Sequence, residues 1–204
     1  MAKATKMIQN LGRTVNKPTS IIIEECFENN VNNWEEIDTD KEFAKIQGGR
    51  YVMENRDDWS WKYYDINVSI NKHQNFIIEA KIKIEDFREI GQFGIIWGFD
   101  KKHAILNRFT IAADLKRFSI IQFEKDHRRI YHRFSEKLDH AVQKIENELT
   151  IIKNKKYLFF KINKQIVYIC HEAHFHQGGP RIGFYVEPGV KISSSFLTVQ
   201  SYKN

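Results

Sequence analysis

The fold is decided by residues 92–100, which read Gln-Phe-Gly-Ile-Ile-Trp-Gly-Phe-Asp. This stretch is apolar at consecutive positions, carries two glycines and ends at a turn-forming aspartate. A short run that is apolar on both faces is typical of a β-strand covered on both sides, and glycine within a strand marks a close approach of another backbone. The stretch therefore predicts a strand inside a layered β protein.

Similar runs recur along the chain at spacings of about 8–12 residues, which is typical of an all-β sandwich or barrel and unlike a βαβ fold. Gly48-Gly49 separates two such runs and predicts a two-residue hairpin. Residues 138–144 are the poorest strand candidate and also fit a loop. We predict an all-β fold, a two-sheet antiparallel β-sandwich, with further strands over 21–27, 43–47, 50–55, 59–66, 76–84, 107–113, 117–124, 129–134, 148–152, 157–162, 165–170, 181–186 and 192–199.

The composition fits one domain with a substantial core. Of the 204 residues, 42% are hydrophobic and 13% aromatic, which excludes disorder for most of the chain. Residues 1–19 are predicted to be a tail or linker and residues 20–204 the sandwich domain. No apolar run is long enough to span a bilayer, and no secretory signal is visible. We therefore expect a cytoplasmic protein, although export as part of a longer parent protein stays open.

Two cysteines and the net charge limit the possible partners. Cys26 and Cys170 both fall in strand-like runs, so we predict reduced core residues rather than a disulfide framework or metal ligands, and a bond between the two is the alternative. The formal net charge of +6, with a pI near 9.2, permits weak attraction to polyanions.

The order of the motifs resembles the concanavalin A-like lectin/glucanase superfamily, and more closely the laminin-G-like jelly-roll modules of bacterial proteins. The resemblance covers about residues 24–200 and implies the fold, because one scaffold of this kind hosts many functions. The matching pieces are Phe27, Asn30 and Trp34, then 76–80, 93–98, Asn107-Arg108-Phe109 with Ile111, 147–151, 160–164, 181–185 and 196–199.

Glucanases of this superfamily imply a pair of catalytic carboxylates on one strand, in the pattern Glu-x-Asp-x-x-Glu. Glu124 and Asp126 match its first two positions, but His127, Arg128 and Arg129 follow where the second glutamate belongs. We therefore predict no catalytic residues, no enzyme activity and no cofactor.

Histidines near residue 174 suggest a weak metal hypothesis. His174 and His176 are two residues apart, so on a strand they would share a face and could ligate one ion. His171 would point the other way. Adventitious loop histidines are the alternative, and we predict no metal site.

An aromatic row is the main candidate for ligand binding. Trp59, Trp61 and Tyr63 lie on one face of a predicted strand, where indole and phenol rings can stack on the C–H faces of sugars. The alternative is that this row fills the core. Polar partners for a sugar would be Asn107, Arg108 and Arg117. The other tryptophans have structural predictions: Trp97 in the core, and Trp34 capping the first turn.

A basic stretch forms a second surface candidate, with Arg128, Arg129, Tyr131 and Arg133 as its members. Such a mixture of cations and an aromatic ring can contact phosphate and stack a base. The β context and neighbouring acidic residues argue against nucleic acid, so a solvated strand face or the rim of a protein contact is preferred.

We predict that the sandwich is a non-catalytic interaction or ligand-recognition module, mainly for protein–protein contact, self-association or assembly. A first alternative is a carbohydrate-binding module that uses the aromatic row on the concave sheet. A second alternative is a glycoside-processing enzyme on the same scaffold.

Overall fold

A computed structural model describes residues 20–68, 70, 73–88, 91–102, 105–112, 116–124, 128–134, 140–175 and 179–202, with the backbone alone for 128–134. The described chain forms two antiparallel sheets of nine and six strands, which confirms the predicted β-sandwich. The predicted tail over residues 1–19 lies outside the described residues.

The described residues form fifteen strands, numbered here in chain order, and a short 3-10 helix, Glu172–His174, which follows the thirteenth strand. The strands are β1 Ser20–Glu25, β2 Ile37–Asp38, β3 Glu42–Gln47, β4 Arg50–Asn55, β5 Lys62–Asn67, β6 Asn75–Phe87, β7 Phe93–Asp100, β8 Ile105–Ala112, β9 Arg117–Glu124, β10 Arg128–Phe134, β11 Glu146–Asn154, β12 Tyr157–Ile162, β13 Gln165–His171, β14 Arg181–Val186 and β15 Val190–Tyr202.

The larger sheet has the order β13-β12-β11-β6-β15-β4-β3-β2, with β1 also paired to β15. The smaller sheet has the order β10-β9-β8-β7-β14-β5. Strand β7, which contains the fold-deciding stretch, lies inside the smaller sheet between β8 and β14. The predicted hairpin is present between β3 and β4, where Gly48 and Gly49 have φ of +59° and +68°. These values require the left-handed backbone that glycine adopts readily.

The main core lies between the two sheets, and the side chains at every second position of each strand point into it. Ile78 from β6 and Ile151 from β11 belong to the same buried cluster as Phe109 from β8 and Phe184 from β14. Trp97 lies in this core, with its ring centroid 5.8 Å from that of Phe160. Burying such side chains contributes roughly 1.5–3 kcal/mol each relative to leaving them exposed.

The sequence predicted that Trp34 caps the first turn, but in the structure it is part of the core. It is 2% exposed and packs in the core against Phe27 and Tyr51, with centroid distances of 5.6 Å and 5.1 Å. Asn30 makes the turn instead, because its side chain bonds both the backbone N–H and the backbone oxygen of Trp34. The asparagine cluster thus fixes the turn, and the tryptophan closes one end of the core.

The two cysteines are free thiols in different surroundings. Cys170 on β13 is buried, as predicted, but Cys26 is exposed, so its assignment to the core was wrong. Strand β1 ends at Glu25, and the chain turns at Phe27, whose φ is +56°. Cys26 therefore lies on a turn and not within a strand.

Alkylation is expected to distinguish these thiols. Because burial raises the pKa of Cys170 to about 12, its thiolate fraction at pH 8 is about one in ten thousand, whereas Cys26 is open to solvent. Native protein treated with iodoacetamide at pH 8 should take up one label by intact mass, and denatured protein two. The Cys26→Ser variant should stay unlabelled when native. Equal labelling rates for both thiols in the native protein would contradict the assignment.

Candidate functional site

A second apolar cluster lies on the outer face of the six-stranded sheet, away from the main core. It is built around Tyr185, with partly buried Trp61 and Tyr63 packed against it. We call this surface the aromatic face. Its buried apolar members are Ile96, Phe99, Leu106, Ile121, Phe123 and Tyr185.

The ring contacts on this face are close. Tyr63 lies with its centroid 5.8 Å from that of Tyr185 and 5.6 Å from that of Phe99. Trp61 lies 6.1 Å from Phe123. Such separations are those of favourable aromatic pairs, which fix the orientation of each ring. The face therefore carries a set of mutually positioned rings.

Arg108 lies in the middle of the aromatic face. In the ladder its position is flanked by Ile96 on β7 and Ile121 on β9, so its methylene stem crosses apolar surface. Its guanidinium carbon lies over the rings of Tyr185 and Phe123, at 4.3 Å and 4.7 Å from the centroids. The residue is 5% exposed, and its Nε and Nη1 are buried without a hydrogen-bond partner. Among the described residues, this cation is therefore held by aromatic rings and not by a carboxylate.

The tyrosines beside this cation remain protonated at ordinary pH. Burial raises the pKa of Tyr63 and of Tyr185 well above the usual range, and the positive charge of Arg108 acts in the opposite direction on both. The phenol of the partly exposed Tyr63 can therefore donate a hydrogen bond to a ligand across the physiological range, whereas that of Tyr185 is fully buried.

Polar groups gather at one end of the aromatic face. The Thr110 hydroxyl, the Ser119 hydroxyl and Gln92 Oε1 lie within 2.7–2.8 Å of one another. The two hydroxyl groups have only two protons for these three oxygen–oxygen contacts. One of the three contacts is therefore made without a hydrogen bond. The Tyr185 hydroxyl donates to Glu187 Oε1 at 3.0 Å, and the Gln92 backbone N–H donates to Glu187 Oε2 at 2.8 Å. Thr110 and Tyr185 are fully buried and Ser119 is 6% exposed, so Gln92 and Glu187 are the partly exposed polar side chains at this end.

The opposite end of the face carries an ion-pair group. The side chain of Asp65 on β5 is 4% exposed and bonds the guanidinium of Arg181 on β14. Lys101 Nζ lies 3.6 Å from its other carboxylate oxygen. Asp65 therefore has two cationic partners of its own.

Trp59 differs from the other two members of the predicted aromatic row. Strand β5 begins at Lys62, so Trp59 lies on the preceding turn, and it is 91% exposed. Asp57 holds this turn, because its carboxylate accepts from the Trp59 N–H and from the Ser60 hydroxyl. These bonds, the one to Ser60 first, lower the pKa of Asp57 to about 2. A rigid turn thus presents a bare indole beside the strand that carries Tyr63.

The remaining polar candidates are not gathered in one place. Asn107 is fully buried and donates to the Trp97 backbone oxygen, which places its side chain on the inner side of the sheet. Arg117 is exposed at the start of β9, opposite Ala112. His174 lies in the 3-10 helix rather than on a strand, and His176 lies outside the described residues. Among the described residues no cluster of three metal-ligating side chains occurs.

The basic stretch forms the edge strand of the six-stranded sheet. Strand β10 pairs with β9, where Arg129 is opposite Phe123 and Tyr131 is opposite Gln122. The side chains of Arg128, Arg129, Tyr131 and Arg133 lie outside the described part of the chain. By backbone position alone, this strand borders the aromatic face.

Sequence reasoning missed Phe123, Tyr185 and Gln92 as members of this surface. Phe123 and Tyr185 carried a usable signal, since each lies in a strand that is apolar on both faces. Gln92 carried no such signal in the sequence, because its role depends on the Thr110 and Ser119 hydroxyls, which are brought together by the pairing of β8 with β9.

Comparison with known proteins identifies the fold. No protein-family model and no curated protein sequence matches the chain. Among solved structures, the carbohydrate-binding module CBM66 from Bacillus subtilis is 14% identical, with a TM-score of 0.54 over 89% of this chain and 94% of that one. The β-glucanase of Bacillus licheniformis is 7% identical, with a TM-score of 0.63 over 91% and 100%. The laminarinase catalytic domain from Thermotoga maritima is 10% identical, with a TM-score of 0.63 over 91% and 99%.

The sequence prediction of a mainly protein–protein role is wrong on this comparison, because these three structures are named for carbohydrate binding and glucan cleavage. Within the described residues, no helix has the length and apolar character needed to cross a membrane. The finer likeness to laminin-G-like modules stays a prediction. The chain has the concanavalin A-like jelly-roll fold that its motif order predicted.

Proposed function

We propose that this protein binds carbohydrate on the aromatic face of the six-stranded sheet. The observation that carries the proposal is the exposed Trp59 on its hydrogen-bonded turn, which comes just before the partly buried rings of Trp61 and Tyr63 in the chain. Sugar rings stack on such surfaces through their C–H groups, while neighbouring polar groups take up the hydroxyls. The shared fold of a carbohydrate-binding module and of glucanases supports this choice of ligand class.

Two features make the arrangement suitable for a sugar. The rings of Trp61 and Tyr63 are fixed by their contacts with Phe123 and Tyr185, so little side-chain entropy is lost on binding. The partly exposed side chains of Gln92 and Glu187 lie on the same face, where they supply oxygen acceptors for sugar hydroxyls.

We propose that binding occurs without cleavage. Retaining glycosidases need two carboxylates about 5–5.5 Å apart beside the scissile bond. Among the described residues, the aromatic face has the carboxylates of Asp65 and Glu187 at opposite ends. Arg181 and Lys101 engage Asp65, and Tyr185 and Gln92 donate to Glu187. A carboxylate held between two cations is a poor general acid, because the cations favour its ionised form.

The Trp59→Ala and Trp61→Ala variants are expected to bind a sugar ligand about tenfold more weakly each, because each loses one stacking surface worth about 1.4 kcal/mol. Binding would first be found with a panel of neutral β-glucans and acidic polysaccharides and then measured by titration calorimetry. Release of reducing ends from the bound polysaccharide would be measured in parallel, and none is expected.

The matched control is Tyr157→Ala, which removes a 37% exposed aromatic side chain from the nine-stranded sheet. It should bind as tightly as the unaltered protein. If no polysaccharide of the panel binds, or if the Trp59 and Trp61 variants bind as well as Tyr157→Ala, the proposed site is wrong.

A further inference from the structure

Arg108 is the feature of the aromatic face that neutral sugar binding leaves unused. A buried cation normally has hydrogen-bonded anionic partners, because burial of an unpaired charge costs several kcal/mol. Here Nε and Nη1 are buried with no partner. Contacts with two aromatic rings offset part of that cost, at roughly 0.5–2 kcal/mol each, but they use the ring faces and leave these N–H donors without acceptors.

No carboxylate of the described residues serves Arg108. Asp65 shares its row across the sheet, but β14 and β7 lie between their strands, which places the two backbones about 14 Å apart. Glu187 touches Tyr185, but its two oxygens accept from the Tyr185 hydroxyl and from the Gln92 N–H. The guanidinium thus has hydrogen-bonding capacity that the described chain does not fill.

We propose that Arg108 is the recognition residue for a carboxylate carried by the sugar, so that the ligand is an acidic saccharide of the uronic acid type. This inference rests on the proposed carbohydrate function and specifies its substrate class. A carboxylate accepts paired N–H bonds from a guanidinium, and charge-assisted bonds of this kind are about twice as strong as neutral ones.

The charges around the site agree with an anionic ligand. Besides Arg108, the described residues of this face include the exposed Arg117 and the cations Lys101 and Arg181, which pair with Asp65. The carboxylates of Asp65 and Glu187 stand against these four cations. Such a surplus attracts an acidic polymer and speeds its association at low salt. The formal net charge of +6 acts in the same direction.

Carboxyl reduction provides the test, because it changes only the group in question. Polygalacturonate, alginate and hyaluronan would each be compared with the carboxyl-reduced form of the same polymer, and dextran sulfate with dextran. The unaltered protein should bind at least one uronate polymer tenfold or more tightly than its reduced form. The Arg108→Met variant should lose that preference, since a charge-assisted hydrogen bond is worth about 1.5–3 kcal/mol, or roughly 10–100-fold.

The stability of Arg108→Met and two further variants separate recognition from folding. Arg108→Met keeps an apolar stem, and replacing a buried charge by an apolar group is often neutral or stabilising, so its melting temperature should not fall. Arg108→Lys keeps the charge without the planar fork and should retain only part of the preference. Arg50→Met, on β4 in the other sheet, is the control and should bind as the unaltered protein does.

The outcomes separate the two proposals. Binding to neutral glucans with no preference for carboxylates would overturn the role of Arg108 and leave carbohydrate binding in place. Preference for sulfate over carboxylate would overturn it as well. Failure of every polysaccharide to bind would overturn both.

Discussion

Replacing Glu25 by alanine is expected to lower the free energy of unfolding by about 4 kcal/mol. The carboxylate of Glu25 is 3% exposed and accepts three hydrogen bonds, from the Phe27 N–H, the Asn32 amide and the Trp34 indole N–H, at 2.9, 2.7 and 2.9 Å. Alanine leaves two of these donors buried without an acceptor, at about 1–3 kcal/mol each. Urea unfolding followed by fluorescence would measure the change.

The matched control is Glu24→Ala, which removes an exposed carboxylate from the preceding position of the same strand. Its effect should stay within about 0.5 kcal/mol. Glu25→Gln keeps one acceptor oxygen and should lie between the two. Equal stabilities for Glu25→Ala and Glu24→Ala would show that the carboxylate does not hold the turn.

The Glu25 contacts explain why the turn after β1 was hard to predict. Residues 21–27 read as one apolar strand, and this pattern placed Cys26 in the core. The strand ends at Glu25 because its carboxylate captures the N–H of Phe27, and the backbone there adopts φ of +56°. The bond from the Glu25 carboxylate to the Phe27 N–H is local in sequence. The same carboxylate also accepts from Asn32 and Trp34, which lie seven and nine residues away and are harder to predict as its partners.

The two-layer fold was predictable because it depends on alternation, which the sequence displays directly. Strands β6, β9 and β14 were each predicted close to their observed bounds. Alternation shows which residues share a face, but it does not show which face meets the other sheet when both faces are apolar. The core position of Trp97 was predicted, and the structure agrees. The second apolar cluster, which surrounds Arg108 on the outer face, was not predicted.

The candidate site was only partly predictable for the same reason. The pattern Trp-x-Trp-x-Tyr was correctly noticed, but the strand begins after Trp61, so Trp59 belongs to a turn fixed by Asp57. Asn107 and Arg108 are adjacent in the chain and therefore point to opposite sides of the sheet. Only one of them can lie on the aromatic face, and the register of β8 gives that place to Arg108.

Replacing Gly183 by alanine is expected to lower the free energy of unfolding by about 3 kcal/mol, and the melting temperature by roughly 6–12 °C. Gly183 on β14 pairs with Asp65 on one side and Ile96 on the other. A Cβ added there would lie 2.0 Å from the Tyr64 carbonyl oxygen and 2.6 Å from the Asp65 Cα. Both atoms belong to backbone, so the clash can be relieved only by moving β5 away from β14. Calorimetry and urea unfolding would measure the loss.

Gly48→Ala is the control that isolates this steric argument. Gly48 has φ of +59° and nothing within 4 Å of an added Cβ, so alanine there costs only the left-handed backbone, about 1–2 kcal/mol. The two variants add the same methyl group, and their difference measures how closely β5 and β14 approach. Because β5 carries Tyr63 and Asp65, Gly183→Ala should also weaken sugar binding, whereas Gly48→Ala should not. A smaller stability loss for Gly183→Ala than for Gly48→Ala would mean that the two strands are not packed this closely.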